Sequence, residues 1–379
     1  MKLIHLSDLH LGKRVNGFSM LEDQKYILTK ILNVIDEEKP DAVLIAGDVY
    51  DKSVPSAEAV ELFDDFLVRL AKKSVQTFVV SGNHDSPERL AFANRLIDVS
   101  GIHLSPVYNG KVEPITLTDE FGPVNIYMLP FVKPAHVRHF FPEEEIATYT
   151  DAVAVAVAQM KADMTQRNVL ITHQFVTGAE RSESEEISVG GADNVDAAVF
   201  DGWEYVALGH IHGPQNIGTG RIRYCGTPLK YSFSEAGHEK SVTVVELGEK
   251  DQLTVRCVPL KPMRDLVEIR GRFEELTDRN FYEGTTYQND YIHVTLTDED
   301  DIPEVISKIR LVYPNLMKLD YDNRRTRHTA EISGTADVEN KHPFELFAGF
   351  YEQQNGMPMS EEQADFMREL IEKVWEDNK

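Results

Sequence analysis

The chain has 379 residues, 42% of them hydrophobic, which is ordinary for a globular protein and long enough for two domains plus an appendage. No run of about 18 apolar residues occurs, which excludes a membrane-spanning helix, and the opening Lys2-Leu3-Ile4-His5 enters a strand-like run with no signal peptide ahead of it. The net charge of −24 counts against non-specific binding of nucleic acid unless metal ions absorb some of it, charge is segregated by domain, or a partner supplies the affinity.

Taken in order, the first apolar run ends in Ser7-Asp8-Leu9-His10. Residues 21–38 carry Leu21, Ile27, Leu28, Ile31, Leu32 and Ile35 at helical spacing, and 57–72 repeat the pattern with Leu62, Phe63, Phe66, Leu67 and Leu70; both read as packing helices. Between them Ala42-Val43-Leu44-Ile45-Ala46 ends in Gly47-Asp48, and after them Phe78-Val79-Val80 runs into Ser81-Gly82-Asn83-His84-Asp85. Residues 102–131 change to short strand-like runs separated by glycine and proline. The basic cluster Lys133, His136, Arg138 and His139 follows, read as a solvated loop or as a phosphate-contacting edge. Residues 143–160 predict a helix, with strand ambiguity from the Ala/Val alternation at 152–158.

The run Asn168-Val169-Leu170-Ile171-Thr172 delivers His173, and residues 177–194, rich in Gly, Ser and Glu, read by default as an acidic flexible linker, or else as a mobile substrate-facing loop. Tyr205-Val206-Ala207-Leu208-Gly209 delivers His210-Ile211-His212. Strands are expected at 222–225, 241–247 and 253–258; Cys225 and Cys257, the only cysteines, sit in these runs and read as buried thiols of a reducing compartment. A boundary falls near Pro259 to Pro262, beyond which strands at 266–273, 291–297 and 316–321 and a helix at 303–312 suggest a small α+β unit. Its Lys261, Arg264, Arg270, Arg272, Lys318, Arg324, Arg325 and Arg327 suit contact with a nucleic-acid backbone, or pairing with the abundant acids. In the tail, Pro343, Phe344, Phe347, Phe350 and Tyr351 form an apolar stripe that Gly356 and Pro358 break. Ser360-Glu361-Glu362-Gln363 then makes a capping box ahead of Phe366, Met367, Leu370, Ile371, Val374 and Trp375.

Alternating strands and helices imply an α/β fold with mainly parallel pairing, in which the carboxyl ends of neighbouring strands converge on one crevice. The residues delivered there are Asp8, His10, Asp48, Asn83, His173, His210 and His212. Any one alone reads as a turn former or satisfied polar group, but Asp8 with His10, and His210 with His212, sit two apart and so share a face of an extended segment. Carboxylate and amide oxygens mixed with imidazoles suit Mn, Fe(II) or Zn, and so many donors exceed one tetrahedral ion while matching two ions that share a bridge, a recurrent device for phosphoester hydrolysis.

These blocks, Asp8-Leu9-His10, Gly47-Asp48, Gly82-Asn83-His84-Asp85, His173 and Gly209-His210-Ile211-His212, resemble the calcineurin-like metallophosphoesterases. The opening Ile4 to Lys13 segment, Gly47-Asp48-Val49-Tyr50-Asp51 and the Gly226-Thr227-Pro228-Leu229-Lys230-Tyr231-Ser232-Phe233-Ser234-Glu235 block resemble, more narrowly, the SbcD-type nucleases. The resemblance implies a four-layer αββα sandwich over residues 1–260, a DNA-capping α+β domain over 261–335 and a helical tail over 336–379 that grips an SbcC-like coiled-coil ATPase. It also implies two Mn2+ ions bridged by Asp48, with Asp8, His10 and His212 completing one shell and Asn83, His173 and His210 the other. His84 would protonate the leaving oxygen or stabilise the developing charge, with Asp51 or Asp85 orienting it. Lys13, Arg14, Arg89, Lys133, Arg270 and Arg272 are candidate DNA contacts. The implied activity is metal-dependent hydrolysis of DNA, as an exonuclease on double-stranded ends and an endonuclease on hairpins or single strands, by a homodimeric, cytoplasmic and nucleoid-associated repair and recombination enzyme. A phosphodiesterase of small nucleotides, or a non-hydrolytic DNA-end scaffold, are the alternatives.

Overall fold

The computed structural model describes every residue except 93, 186–192, 325, 327–343, 345–346, 349–350, 353–354, 356 and 377–379. Two compact units emerge, Met1–Leu266 and Val267–Lys379.

The first unit is built on two six-stranded sheets. In chain order its strands are β1 (Lys2–Leu6), β2 (Ala42–Ala46), β3 (Gln76–Val80), β4 (Ile102–Leu104), β5 (Ile115–Asp119), β6 (Gly122–Leu129), β7 (Arg167–His173), β8 (Tyr205–Gly209), β9 (Gln215–Ile217), β10 (Ile222–Tyr224), β11 (Ser241–Leu247) and β12 (Leu253–Pro259). One sheet runs β12-β11-β1-β2-β3-β4 and the other β9-β10-β8-β7-β6-β5. In the first, β1 to β4 are parallel, and β11 returns antiparallel to β1. In the second, β6, β7, β8 and β10 are parallel.

Strand alternation explains how the sheets stack. Leu3, Ala42, Leu44, Ala46, Phe78 and Val80 from one sheet share a core with Val124, Ile126, Val169, Ile171, Tyr205 and Ala207 from the other. The intervening residues face outward, so near-continuous apolar strands are buried on both faces. Tyr127, Leu129, Leu170, Val206 and Leu208 pack under Ala152, Val153, Ala156 and Val157 of α3 (Tyr149–Gln159). On the far side α1 (Leu21–Glu38) buries Ile27, Leu28, Ile31, Leu32 and Ile35, while α2 (Ala57–Lys72) buries Phe63, Phe66 and Leu70 and lies against β3. Helix, sheet, sheet, helix: this is the four-layer sandwich.

Two details differ from the sequence reading, and one ambiguity is resolved. Helix α3 starts at Tyr149 instead of 143, because Thr148 and Asp151 cap its first turn reciprocally: the Asp151 N–H donates to Thr148 Oγ1 at 3.1 Å and the Thr148 N–H to Asp151 Oδ2 at 2.8 Å. The Ala/Val alternation there is helical. Cys225 is buried, but Cys257 is exposed because it lies on the edge strand β12; both are free thiols.

The second unit holds β13 (Leu266–Gly271), β14 (Tyr291–Leu296) and β15 (Leu316–Tyr321), with β14 central and parallel to β15. Ile269, Ile292, Val294 and Leu316 pack with Ile309 and Tyr313 at α4 (Val305–Val312) into a separate small core. The first compact unit thus runs to Leu266, past the boundary read at 260. Helix α5 (Glu361–Glu376) opens on the expected box, the Gln363 N–H donating to Ser360 Oγ at 3.3 Å and the Ser360 N–H to Gln363 Oε1 at 2.9 Å. Pro343 and Phe350 of the apolar stripe, Arg325, Arg327 and the side chains of Val374 and Trp375 fall outside the described residues. Among the described residues no helix is long and apolar enough to cross a membrane.

Candidate metal centre

β1, β2 and β3 are neighbours in one sheet and β7 and β8 in the other, so stacking the sheets brings five carboxyl ends to one crevice. The turns that leave these strands are sharp. Asp8 (φ 52°), His10 (φ 43°), Asp48 (φ 47°) and His210 (φ 108°) all adopt positive φ, costing of order 1–3 kcal/mol each. Main-chain bonds hold them there: the Asp8 N–H donates to Gly47 O at 3.0 Å and the His10 N–H to Asp48 O at 2.9 Å. Space is equally tight, since a Cβ on Gly209 would collide with the Ala46 carbonyl and one on Gly82 with the Asp48 carboxylate.

The side chains fall into two sets. In one, His10 Nε2 and His212 Nε2 face each other at 3.1 Å, and Asp8 joins them with ligand atoms mutually within 4.8 Å. In the other, Asn83 Oδ1 lies 3.0 Å from His173 Nε2 and 2.9 Å from His210 Nδ1. Asp48 lies between, its Oδ2 3.3 Å from His173 Nε2 and 3.8 Å from His10 Nε2. Asp8, His10, Asp48, His173, His210 and His212 are buried and Asn83 is half-buried.

This arrangement asks for cations. His173 Nδ1 donates to the Ala46 carbonyl at 2.9 Å, which leaves Nε2 as the nitrogen facing Asn83 Oδ1 and Asp48 Oδ2, both acceptors. Such a cluster of lone pairs holds together only around added positive charge. Without an ion a proton supplies it: burial opposes the charged form of His173, but Asp48 overrides it and pushes the imidazole up to about 9. For Asp48, burial raises the pKa, but His173 and His10 outweigh it and hold the carboxyl far below the usual range. Burial raises Asp8 and drives His10 and His210 well below their ordinary value. His210 Nε2 and His10 Nδ1 are buried without a partner among the described residues. The donor set, carboxylates and an amide oxygen with imidazoles, fits first-row divalent ions.

The calcineurin-like phosphoesterase family matches residues 1–214, and the type 5 capsule protein repressor C-terminal domain family matches 262–355. A protein of Staphylococcus epidermidis described as the SbcD subunit of nuclease SbcCD is 32% identical over 375 residues, covering 98% of each chain. The chain belongs to the SbcD family of calcineurin-like phosphoesterases. A second member, of the same description, from Staphylococcus saprophyticus, is 33% identical over 344 residues, 90% of this chain and 88% of that one.

Around the crevice of this SbcD-family chain, His84 adjoins the first set: it, His10 and Asp48 offer ligand atoms mutually within 4.8 Å. It is partly exposed, its Nδ1 donates to the Asp51 carbonyl at 3.1 Å, and its Nε2 points into the crevice 3.9 Å from Asp48 Oδ2. Asp51 therefore touches His84 through its main chain; its carboxylate instead pairs with Lys13 at 2.8 Å and lies 3.9 Å from His10 Nδ1. Asp85 does not orient His84. It accepts from the N–H groups of Gly82 (2.9 Å), Val49 (3.1 Å) and Tyr50 (2.9 Å), tying two turns together, and burial with the nearby Asp48 charge raises it to about 6.

Sequence reasoning missed the groups behind His212. Its Nδ1 donates to Ser184 Oγ at 2.5 Å, Ser184 in turn bonds Glu235, and Glu235 is clamped by Lys240 Nζ at 2.5 Å. The His212 N–H donates to Glu185 Oε1 at 2.6 Å, and Lys240 Nζ to the His212 carbonyl at 2.9 Å. Part of the segment read as a flexible linker is thus packed against the site; residues 186–192 lie outside the described ones. Glu235 stands within the block that resembles the SbcD-type nucleases, but nothing in its spacing announces this role. Gln24, on α1, carries no sequence signal either: its amide donates to His10 O at 2.8 Å and accepts from the Gly12 N–H at 3.0 Å.

Of the candidate DNA contacts in the first unit, Lys13 sits beside the crevice through Asp51, while Arg14, Arg89 and Lys133 are exposed. In the second unit Arg272 is exposed, and Arg270 is exposed and paired with Asp322.

Proposed function

We propose that the chain is a metal-dependent DNA nuclease, the hydrolytic subunit of an SbcCD-like assembly. The carrying observation is the pair of donor sets meeting at Asp48, whose buried lone pairs call for cations, with His84 beside His10 and Asp48. Asp8, His10 and His212 would hold one ion, Asn83, His173 and His210 the other, with Asp48 serving both; Mn2+ is the ion we favour for this donor set. When bound, the ions supply charge neutralisation for the phosphodiester and acidify a water. The chain's own residues do the rest. Ala46 O and the Ser184–Glu235 pair fix which nitrogens of His173 and His212 face the crevice. The Asp51 carbonyl fixes His84 Nδ1, so that Nε2 is the atom that delivers a proton to the departing oxygen.

In this reading the substrates are double-stranded DNA ends, hairpins and single strands. The C-terminal helix docks on an SbcC-like coiled-coil ATPase, the assembly is a homodimer of this subunit, and it works at the nucleoid in the cytoplasm. The net charge of −24 favours a second reading, a phosphodiesterase of small nucleotides with the same core. Hydrolysis of end-labelled linear duplex and of a small bis-ester, in parallel with Mn2+ and with or without the ATPase and ATP, separates the two. Duplex cleavage extended by the ATPase supports the nuclease. Turnover of the small ester with duplex untouched under every condition refutes it.

A further inference from the structure

A cleft of about 760 Å³ opens at the side of the first unit, between the β9–β10 hairpin of one sheet and β11–β12 of the other. Arg181, Gln215, Asn216, Arg223, His238 and Cys257 are among its lining residues. Arg223, from β10, is only 8% exposed. Its Nε donates to Thr243 Oγ1 at 3.3 Å, Nη1 to Asn216 Oδ1 at 2.5 Å and Nη2 to Cys257 Sγ at 2.9 Å. A hydroxyl, an amide and a thiol are its partners, and among the described residues no carboxylate pairs with it.

That is anomalous within this unit. Arg167, 4% exposed, holds Asp119, and Lys240, 5% exposed, holds Glu235. A buried cation without a counter-charge is costly, and a guanidinium always carries its charge. Three of its five N–H groups have partners, so donors remain. Nearby, His238 Nδ1 is buried without a partner among the described residues, and Arg181 shares its charge with Asp193. The acids that line the cleft, Glu180 and Glu239, are exposed.

We propose that this cleft is an anion site separate from the metal crevice, with Arg223 as its charge and a phosphate group as its ligand. The planar fork of a guanidinium matches phosphate oxygens. The cleft adjoins the metal centre from behind, through Gly213 and Pro214 after His212 and through Lys240, whose Nζ donates to the His212 carbonyl at 2.9 Å. In a chain of net charge −24 the overall field repels anions, so binding has to be built locally.

The test uses the full chain stripped of metal and chelator, melted in chloride with rising inorganic phosphate. Wild type shows a saturable rise in Tm of about 2–4 °C. Asn216→Asp, at an exposed position, sets a carboxylate against Nη1; it raises Tm in chloride alone and abolishes the phosphate response. Arg223→Gln abolishes the response as well. A nucleoside monophosphate and a short single-stranded oligonucleotide, used in place of phosphate, tell a free ligand from a phosphate of a bound strand. No saturable rise in wild type overturns the proposal, and so does a rise that persists in Asn216→Asp, which would mark general salting-out.

Discussion

Ser184→Ala removes one oxygen from behind His212, and its effect can be worked out from the distances. His212 Nδ1 donates to Ser184 Oγ at 2.5 Å; the next acceptor, Glu235 Oε1, is 3.6 Å away, beyond hydrogen-bond reach. Glu235 cannot close the gap freely, because Lys240 clamps it at 2.5 Å. The hydrogen bonds to Glu235 and Ser182 go as well, but the one that holds His212, in a charged network, contributes roughly 1.5–3 kcal/mol. Removing the hydrogen-bond partner behind a metal-holding histidine typically costs about 10–100-fold in metal affinity, which is about 1.4–2.7 kcal/mol, so the two figures agree. The loss falls on the set of Asp8, His10 and His212. The other set is untouched, because the Ala46 carbonyl, not Ser184, fixes His173. Calorimetric titration of Mn2+ into metal-free protein resolves two binding classes in wild type, of which the variant weakens one by about 10–100-fold. The metal-free variant also melts lower, because the bonds to Glu235 and Ser182 are lost with the one to His212. Equal weakening of both classes, or of neither, refutes this reasoning.

Two further predictions concern the scaffold. Gly209→Ala drives a methyl into the Ala46 carbonyl and to within 2.7 Å of His173 Nδ1, so overpacking of about 1–3 kcal/mol or more is expected, with a lower Tm and weaker metal binding by the His173 set; wild-type melting and affinity would show that the strands can part. Asp119 is held well below the usual carboxylate range by the Arg167 guanidinium. With the folded pKa below the unfolded one, its stabilisation is complete above the unfolded value of about 3.9 and fades as pH falls through the folded one. Asp119→Asn therefore lowers stability by roughly 2 kcal/mol near neutrality, and the difference disappears in acid; denaturant melts giving a constant difference across that range would contradict the assignment.

The sandwich is legible in the sequence because its strands are near-continuous apolar runs with period-two pairs at their ends, and because α1 and α2 carry unbroken helical stripes. The pattern at 143–160 misleads at its start, since the Thr148 cap outweighs the preceding acidic residues. The convergence of Asp8, His10, Asp48, Asn83, His173, His210 and His212 follows from strand-end logic. What surrounds them does not. Ser184, Glu235 and Lys240 act through tertiary contacts across as many as 51 positions, and Ser184 lies in a stretch whose Gly, Ser and Glu content resembles a linker. Asp51 and Asp85 each suggest, by position, a carboxylate beside His84, yet Asp51 serves through its carbonyl and Asp85 ties turns together. Main-chain roles leave no mark on side-chain identity.

The most direct test of the account takes a single preparation of His84→Ala and measures bound Mn2+ and duplex cleavage on it. His84 reaches the crevice with Nε2 beside His10 and Asp48, with ligand atoms mutually within 4.8 Å, and the proposed mechanism gives it the proton and not the metal. The account predicts wild-type metal stoichiometry and affinity with turnover reduced by about 10²–10⁴-fold. Loss of metal in step with loss of cleavage would contradict it, making His84 a ligand and leaving the departing oxygen without its proton donor.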